Sequence, residues 1–334
     1  MHPRIARPSG RLCALLLATT VAATLAVSAT TARAEEDENA DTVRLTFGWE
    51  AGMDARVETV KTRARSEPDG TTTGTELRID YRLRTSYGNL ARLRIAHEAQ
   101  TFETGEYTDA ASTTRDLAQV TPLAADFEVD GDGAFLSIVD ARAATTRLRE
   151  ALDALLAASG TARSVDHERS LATLSNERVL SARASERWSS LVQTWVGREL
   201  AVGEFFEASG TTPHPMLPAA NVGLTYLFGI SERTGCTDPE GPPDCVELRL
   251  ITELDAEDVR ATTRAIIEQV DPARLPPGIE TMELSSRTDV TVVADPATLV
   301  PYYYEHRRII EAGQPGALQR QEEVEQTLFR YAEG

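Results

Sequence analysis

The sequence predicts an α+β fold, in which a strongly curved antiparallel sheet (a half-barrel) carries a central helical insert packed on its concave face. Three observations predict it. Apolar and polar residues alternate at period two in long runs up to residue 139 and again after residue 199. Between them, residues 140–198 are written in helical period, and Gly, Pro and Asp clusters break the strand runs at hairpin spacing. The third helical segment is too apolar on one face to stand alone, and the strands on both sides lack a second layer. The insert therefore reads as the cover of one domain, 42–334, made of a first strand set (42–139), the helical insert (140–198) and a second strand set (199–334).

Residues 1–34 read as a secretory signal peptide and carry no fold information. Arg4, Arg7 and Arg11 form the positive region, Leu12 to Val27 the apolar region, and Ala32-Arg33-Ala34 the cleavage site. Cys13 lies at the very start of the apolar stretch and follows Arg11-Leu12, not the small residues that a lipoprotein signal peptidase expects, so the exported chain is expected to be soluble, not lipidated, and periplasmic or extracellular. No later apolar run approaches the roughly 20 residues that span a bilayer, so no integral membrane segment is expected after cleavage. Residues 35–41, EEDENAD, are an acidic tail without core residues. Four of the 34 basic residues and none of the 52 acidic ones fall in 1–34, so the mature chain is more acidic than the −18 of the whole. Such a chain is repelled by phosphate backbones and anionic headgroups, which argues against nucleic acid and bare membrane as partners.

The strand signal opens with Val43, Leu45, Phe47 and Trp49 on one face. Strands follow over about Ala55–Arg65, Thr75–Thr85 and Ala91–Phe102, the second alternating Leu77, Ile79, Tyr81 and Leu83 with Glu76, Arg78, Asp80 and Arg82. Charged on one side, they suit an antiparallel sheet with one wet face. A polar loop or short helix covers Gly105–Thr121. Phe127–Val129 and Phe135–Val139 flank DGDG as a hairpin; Asp130 and Asp132 fail the EF-hand spacing and read as turn residues. Asp140 caps a helix bearing Leu148, Leu152, Leu155 and Leu156, stopped by Gly160. Ser164 caps a second with Leu171 and Leu174 inward. The third places Trp188, Leu191, Val192, Trp195 and Val196 at i, i+3, i+4, i+7 and i+8 before Gly197. Strands resume at Glu204–Phe206, Asn221–Ile230 and Val246–Leu254, with a short helix over Ala256–Val270. Glu280–Ser286, Asp289–Val293, Val300–Ile310 and Val324–Tyr331 close the chain as strands.

Cys236 and Cys245, in GCTDPEGPPDC, are expected to form one disulfide across that loop. Lacking CxxC spacing or a nearby His, they make a poor zinc site. Catalytic, cofactor and metal signatures are missing. GISER at Gly229 lacks the second Gly of a nucleophile elbow, HERSL at His167 has Leu171 where a metal histidine belongs, and GDGAFL at Gly131 lacks the third Gly of a dinucleotide loop. Lys61, the only lysine, has no Ser three residues before it and no Gly immediately before it, and it sits at an exposed-looking strand position. His97, His167, His214 and His306 are dispersed, so only folding could build a triad from them.

Two aromatic groups remain. Trp188, Leu191 and Trp195 could line an apolar ligand groove, and Tyr302 and Tyr304 share a strand face in PYYYEHRR; core packing is the competing reading for both. Val202-Gly203-Glu204-Phe205, with the closing DVTVVADPATLVPYYYEHRRI and EEVEQTLFRY, resembles exported bacterial proteins of the lipoprotein-carrier-like, half-open β-barrel kind. That resemblance implies a concave apolar face that holds acyl chains under a helical lid. The expected function is a non-enzymatic exported shell binding a hydrophobic or amphipathic small molecule or lipid between sheet and helices. The alternatives are an interaction module with an envelope protein partner, docking at an edge strand or at Tyr302–Tyr304, and a hydrolase of unrecognised type.

Overall fold

A computed structural model describes residues 41–88, 92–105, 110–214, 217–236, 244–267 and 281–332. The predicted signal peptide, nearly all of the acidic tail and the acidic residues Asp238 and Glu240 lie outside them. Eleven antiparallel strands form one open sheet. The first half supplies β2 (Asp54–Ser66), β3 (Thr72–Tyr87), β4 (Leu93–Thr104), β5 (Phe127–Val129) and β6 (Phe135–Ile138). The second supplies β8 (Phe205–His214), β9 (Leu217–Thr234), β10 (Cys245–Leu254), β11 (Glu283–Ala294), β12 (Pro301–Gln314) and β13 (Ala317–Tyr331). Their order is β6-β5-β4-β3-β2-β13-β12-β11-β10-β9-β8, so each half is a meander and the β2–β13 pair joins the two. The sheet does not close into a barrel, and the α+β class read from the sequence holds. A separate two-stranded ribbon pairs β1 (Thr42–Arg44) with β7 (Glu199–Ala201).

The helical insert begins where predicted. In α2 (Ala141–Ser159) the Asp140 carboxylate accepts from the N–H groups of Arg142 and Ala143, and Gly160 ends the helix at φ +64°. The expected second helix is two, α3 (Val165–Leu174) and α4 (Glu177–Trp188), because Asn176 caps a fresh start. Past Trp188 the chain widens into one π-helical turn, Ser189–Gln193, closed by the Thr194 N–H donating to Ser189 O at 3.0 Å. That extra residue per turn keeps Trp188, Leu191, Val192 and Trp195 all buried. The polar stretch before the insert contains α1 (Ala110–Val120), and α5 (Ala256–Ile267) packs at the far end of the sheet on β9 and β11.

Cross-strand registers show how the two faces divide. The outer face carries charge ladders: Arg82 and Arg84 on Asp54, Arg330 on Glu58, Arg307 on Glu322, Arg287 on Glu253. The inner face packs against the helices through one main core, and a small second core of Val222, Val259 and Leu284 lies under α5. The first predicted strand, 42–49, is regular only to Arg44. Beyond it the chain threads between segments: Leu45 N–H donates to Arg198 O, Thr46 N–H to Pro296 O and Gly48 N–H to Thr298 O. Asp41, last of the acidic stretch, is held by Arg233 at 2.6 and 2.8 Å. Among the described residues no helix is long and apolar enough to cross a membrane.

Cys236 and Cys245 are joined, as expected, at the tip of the β9–β10 hairpin, with Cα atoms 5.2 Å apart. Replacing both by Ser should lower stability by about 3 kcal/mol through the entropy that the unfolded chain regains. Denaturant melts of oxidised wild type and of the double variant measure it.

Candidate functional site

Residues paired across neighbouring antiparallel strands point to the same side, so the registers write the inner face as rows. The row beneath the helices reads Ile230, Leu248, Val292, Tyr304, Thr327, Thr59 and Ile79, from β9 to β3. One step on, it reads Phe206, Phe228, Leu250, Val290, His306, Glu325, Lys61 and Leu77. The next reads Ala208, Tyr226, Thr252, Thr288, Arg308, Glu323, Arg63 and Thr75. The inner face thus changes from apolar beneath the helices to ionic on β2, β13 and β12. On β8 to β10 an apolar wall persists beside those charges.

The residues predicted to line a groove are brought together, but as packed core. Trp188 is 2% exposed and sits on Phe127 of the sheet with ring centres 5.4 Å apart. Trp49 and Phe47 close on its other sides at 5.1 and 6.1 Å, and its indole N–H donates to Gly133 O at 2.8 Å. Trp195 is fully buried and donates to Ser190 O. Tyr304 shares a hydrogen bond of 3.2 Å with Ser190, and Tyr302 packs on Tyr331 at 5.4 Å. The expected apolar space between Trp188 and the sheet is therefore filled by aromatic side chains. A hollow of about 370 Å³ opens elsewhere, where Asp54, Asp80, Arg82 and Arg330 stand beside Tyr81 and Tyr331.

The ionic band is the feature the sequence reading missed. Lys61 is not exposed: it is 6% accessible, its ammonium donating to Gln119 O at 2.6 Å and pairing with Glu325 at 2.7 Å. Glu325 also takes Arg187 of α4, whose guanidinium lies over the Tyr304 ring at 5.3 Å and reaches Thr327 Oγ1 at 3.4 Å. Burial, then the charges of Arg187 and Arg183, pushes the Lys61 ammonium well below its usual value, while Asp116 opposes. Arg63 pairs with Glu323, yet its Nε and Nη1 are buried without a hydrogen-bond partner. Its pKa falls to about 10 through burial and the nearby Arg115. Arg308, two strands away on the same row, is depressed by burial and by Arg183, with Glu186 opposing. His306, between these charges, is pushed down to about 4 by burial and by Arg308, Lys61 and Arg187, so it is neutral at physiological pH.

Two other histidines are packed into the structure. His167 is buried and completes a capping box: its Nδ1 accepts the Ser164 N–H at 3.1 Å and lies 3.1 Å from the Ser164 hydroxyl. This is the contact a hydrolase reading would seize on, and it is spent on the start of α3. His97 lies between Tyr81 and Phe127, with centroids at 5.5 and 6.0 Å. Asp130 likewise spends its carboxylate on the turn, accepting from Asp132 and Ala134 N–H. The side chain of His214 lies outside the described residues. Among the described residues no group of three or more His, Cys, Asp or Glu gathers as a metal site.

No protein-family model matches the chain, and no curated protein matches it in sequence. Among solved structures, one reporting lipid–protein interactions in lipovitellin overlays 85% of this chain at 8% identity and a TM-score of 0.37. The overlay spans 25% of that chain, a quarter of its length. The translocator domain of the autotransporter NalP from Neisseria meningitidis overlays 84% of this chain and 89% of its own, at 8% identity and a TM-score of 0.16. Neither bears out the resemblance to lipoprotein carriers specifically.

Two outcomes test the electrostatics. Glu325→Gln strands two buried cations and should cost about 3–5 kcal/mol, whereas Lys61→Met leaves Glu325 paired with Arg187 and should cost clearly less; chemical denaturation ranks them. The His97 pKa is lowered to about 4, mainly by burial, with Asp126 opposing and Arg187 and Arg147 reinforcing. The unfolded chain therefore binds a proton that the folded chain refuses between about pH 6.5 and 4. Stability should fall as pH drops through that window, by on the order of 3 kcal/mol from this group, and His97→Gln should flatten the slope in thermal melts.

Proposed function

We propose that the chain is an exported, non-enzymatic protein that binds an amphipathic, lipid-like ligand on the inner face of its open sheet, beside Trp188 and Trp195 rather than beneath them. The observation that supports this is the row from Phe206 to Lys61, one strand face passing from apolar to ionic over seven strands. Its apolar end is partly exposed: Phe206 is 43% accessible, and Ala208, Leu224 and Leu250 on the same wall are half-buried. An amphiphile lying along such a row exchanges apolar wall for its tail and charge for its head, so each end is desolvated against its own kind. The leader-like residues 1–34 and the Cys236–Cys245 disulfide support export, since such a bond persists in oxidising compartments. Non-catalytic use is part of the proposal, because the buried Lys61, Arg187 and His167 are each engaged in ion pairs or caps.

A second reading rests on an observation of its own. Phe205 and Phe206, 39% and 43% exposed, stand on opposite faces of β8, an edge strand of the sheet, where an envelope protein partner could add a strand. Native mass spectrometry of protein purified from its own host separates the two. A co-purified amphiphile of lipid mass is expected. A chain recovered without small-molecule adduct but with a protein partner would replace the first reading by the second.

A further inference from the structure

The ionic band is unbalanced, and in an acidic chain that imbalance is informative. Glu325 serves both Lys61 and Arg187, which approach it from the sheet and from α4. Glu186 likewise faces both Arg183 and Arg308. Arg63 has Glu323, and Arg115 and Asp116 face it from α1. Among the described residues, two carboxylates each shared by two cations leave positive charge over, on the inner face of a chain whose formal net charge is −18. A charge taken out of water costs free energy unless an opposite charge follows it.

The surplus is also placed. Arg308, Glu323 and Arg63 stand in one register row on β12, β13 and β2, so the two guanidiniums flank a single carboxylate from either side. Two nitrogens of Arg63 are buried with no acceptor. Arg183 of α4 lies within electrostatic reach of both Lys61 and Arg308. A guanidinium presents a planar fork that matches a carboxylate or phosphate oxygen pair. Along the neighbouring rows lie the apolar side chains Leu250, Phe228 and Phe206.

Resting on the function proposed above, we infer that Arg63, Arg308 and Arg183 form an oxyanion-binding site for the head of an anionic amphiphile, a carboxylate or phosphate, whose chain lies on the β8–β10 wall. A neutral head leaves the guanidiniums without a matching charge, and a cationic head adds to positive charge that already exceeds Glu323 and Glu186. Selection by head therefore comes from the arginines, and the apolar wall accepts chains of varied shape.

Laurate, dodecanol and inorganic phosphate, titrated calorimetrically against the full mature chain at neutral pH, test it. Laurate should bind more tightly than dodecanol of the same chain length. Arg63→Met and Arg308→Met should each weaken laurate by about tenfold or more, the worth of a charge-assisted hydrogen bond, and leave dodecanol unchanged. Arg308→Met leaves the Arg63–Glu323 pair intact and Glu186 still facing Arg183, so it remains informative if Arg63→Met does not fold. Equal binding of laurate and dodecanol, or variants without effect on laurate, overturns the anion site and leaves the amphiphile reading standing. Phosphate binding with neither amphiphile bound does the reverse: it supports the oxyanion site for a free anion and removes the amphiphile reading. Binding of none of the three removes both.

Discussion

The burial of Trp188 is the contact on which the arrangement of the molecule depends. Its ring meets Phe127 from the sheet, Phe47 and Trp49 from the N-terminal segment, and the carbonyl of Gly133 from the β5–β6 hairpin. Trp49 in turn donates to Leu299 O, between β11 and β12. One side chain on α4 thereby ties the start of the chain, the end of the first strand set and the second strand set into a single core. Gly133 is fixed by the same contact: at φ +78° it has the left-handed conformation glycine tolerates, and a Cβ there would sit 2.8 Å from the Phe47 ring. Aromatic edges packed on faces contribute beyond the area they bury, so this cluster specifies an angle as well as a contact.

With α4 held in that place, its next turns must lie over the middle of the sheet. Arg187 precedes Trp188 by one residue and Arg183 by five, so a helix anchored by the indole carries both over β13 and β12. The band of charge is thus a consequence of where the tryptophan is seated. It explains why the only lysine of an arginine-rich chain is interior: Lys61 offers a compact ammonium between Gln119 O and Glu325, where Arg187 already occupies the wider space over Tyr304.

Most of the scaffold was legible because alternation reports burial directly. Tyr81 and Leu83 face the core, Arg82 and Arg84 face water, and the strand is where the pattern places it. Helix caps were legible for the same local reason, at Asp140, Ser164 and Gly160. The reading failed where both faces of a strand are polar. Arg287 and Thr288 divide what is one strand, β11, into two apparent pieces, and Glu322, Glu323 and Glu325 give no hint which carboxylates turn inward. Lys61 looked exposed because a charged residue on a strand normally faces solvent; only the register with Glu325, far along the chain, shows the opposite. The candidate site was missed for that reason, since its members come from β2, β12, β13, α1 and α4 and no short window contains them.

The ionic band also bears on what the inner face is for. A sheet covered only for stability would be served by leucine or methionine at the positions of Lys61, Arg63 and Arg308, because well-packed apolar residues match or exceed buried ion pairs in stability. The core a few ångströms away is built in that manner, with Thr59 and Thr327 as its only polar pair in the row beneath the helices, bonded to each other at 3.0 Å. The fold therefore accommodates apolar packing on this face and departs from it at one place, beside a half-exposed apolar wall. Departures of that kind from local consistency mark functional sites in folds that are otherwise well specified. Well-packed apolar side chains would serve stability as well at these positions, and the anionic ligand inferred above would supply the negative charge that the arginines of β2 and β12 face.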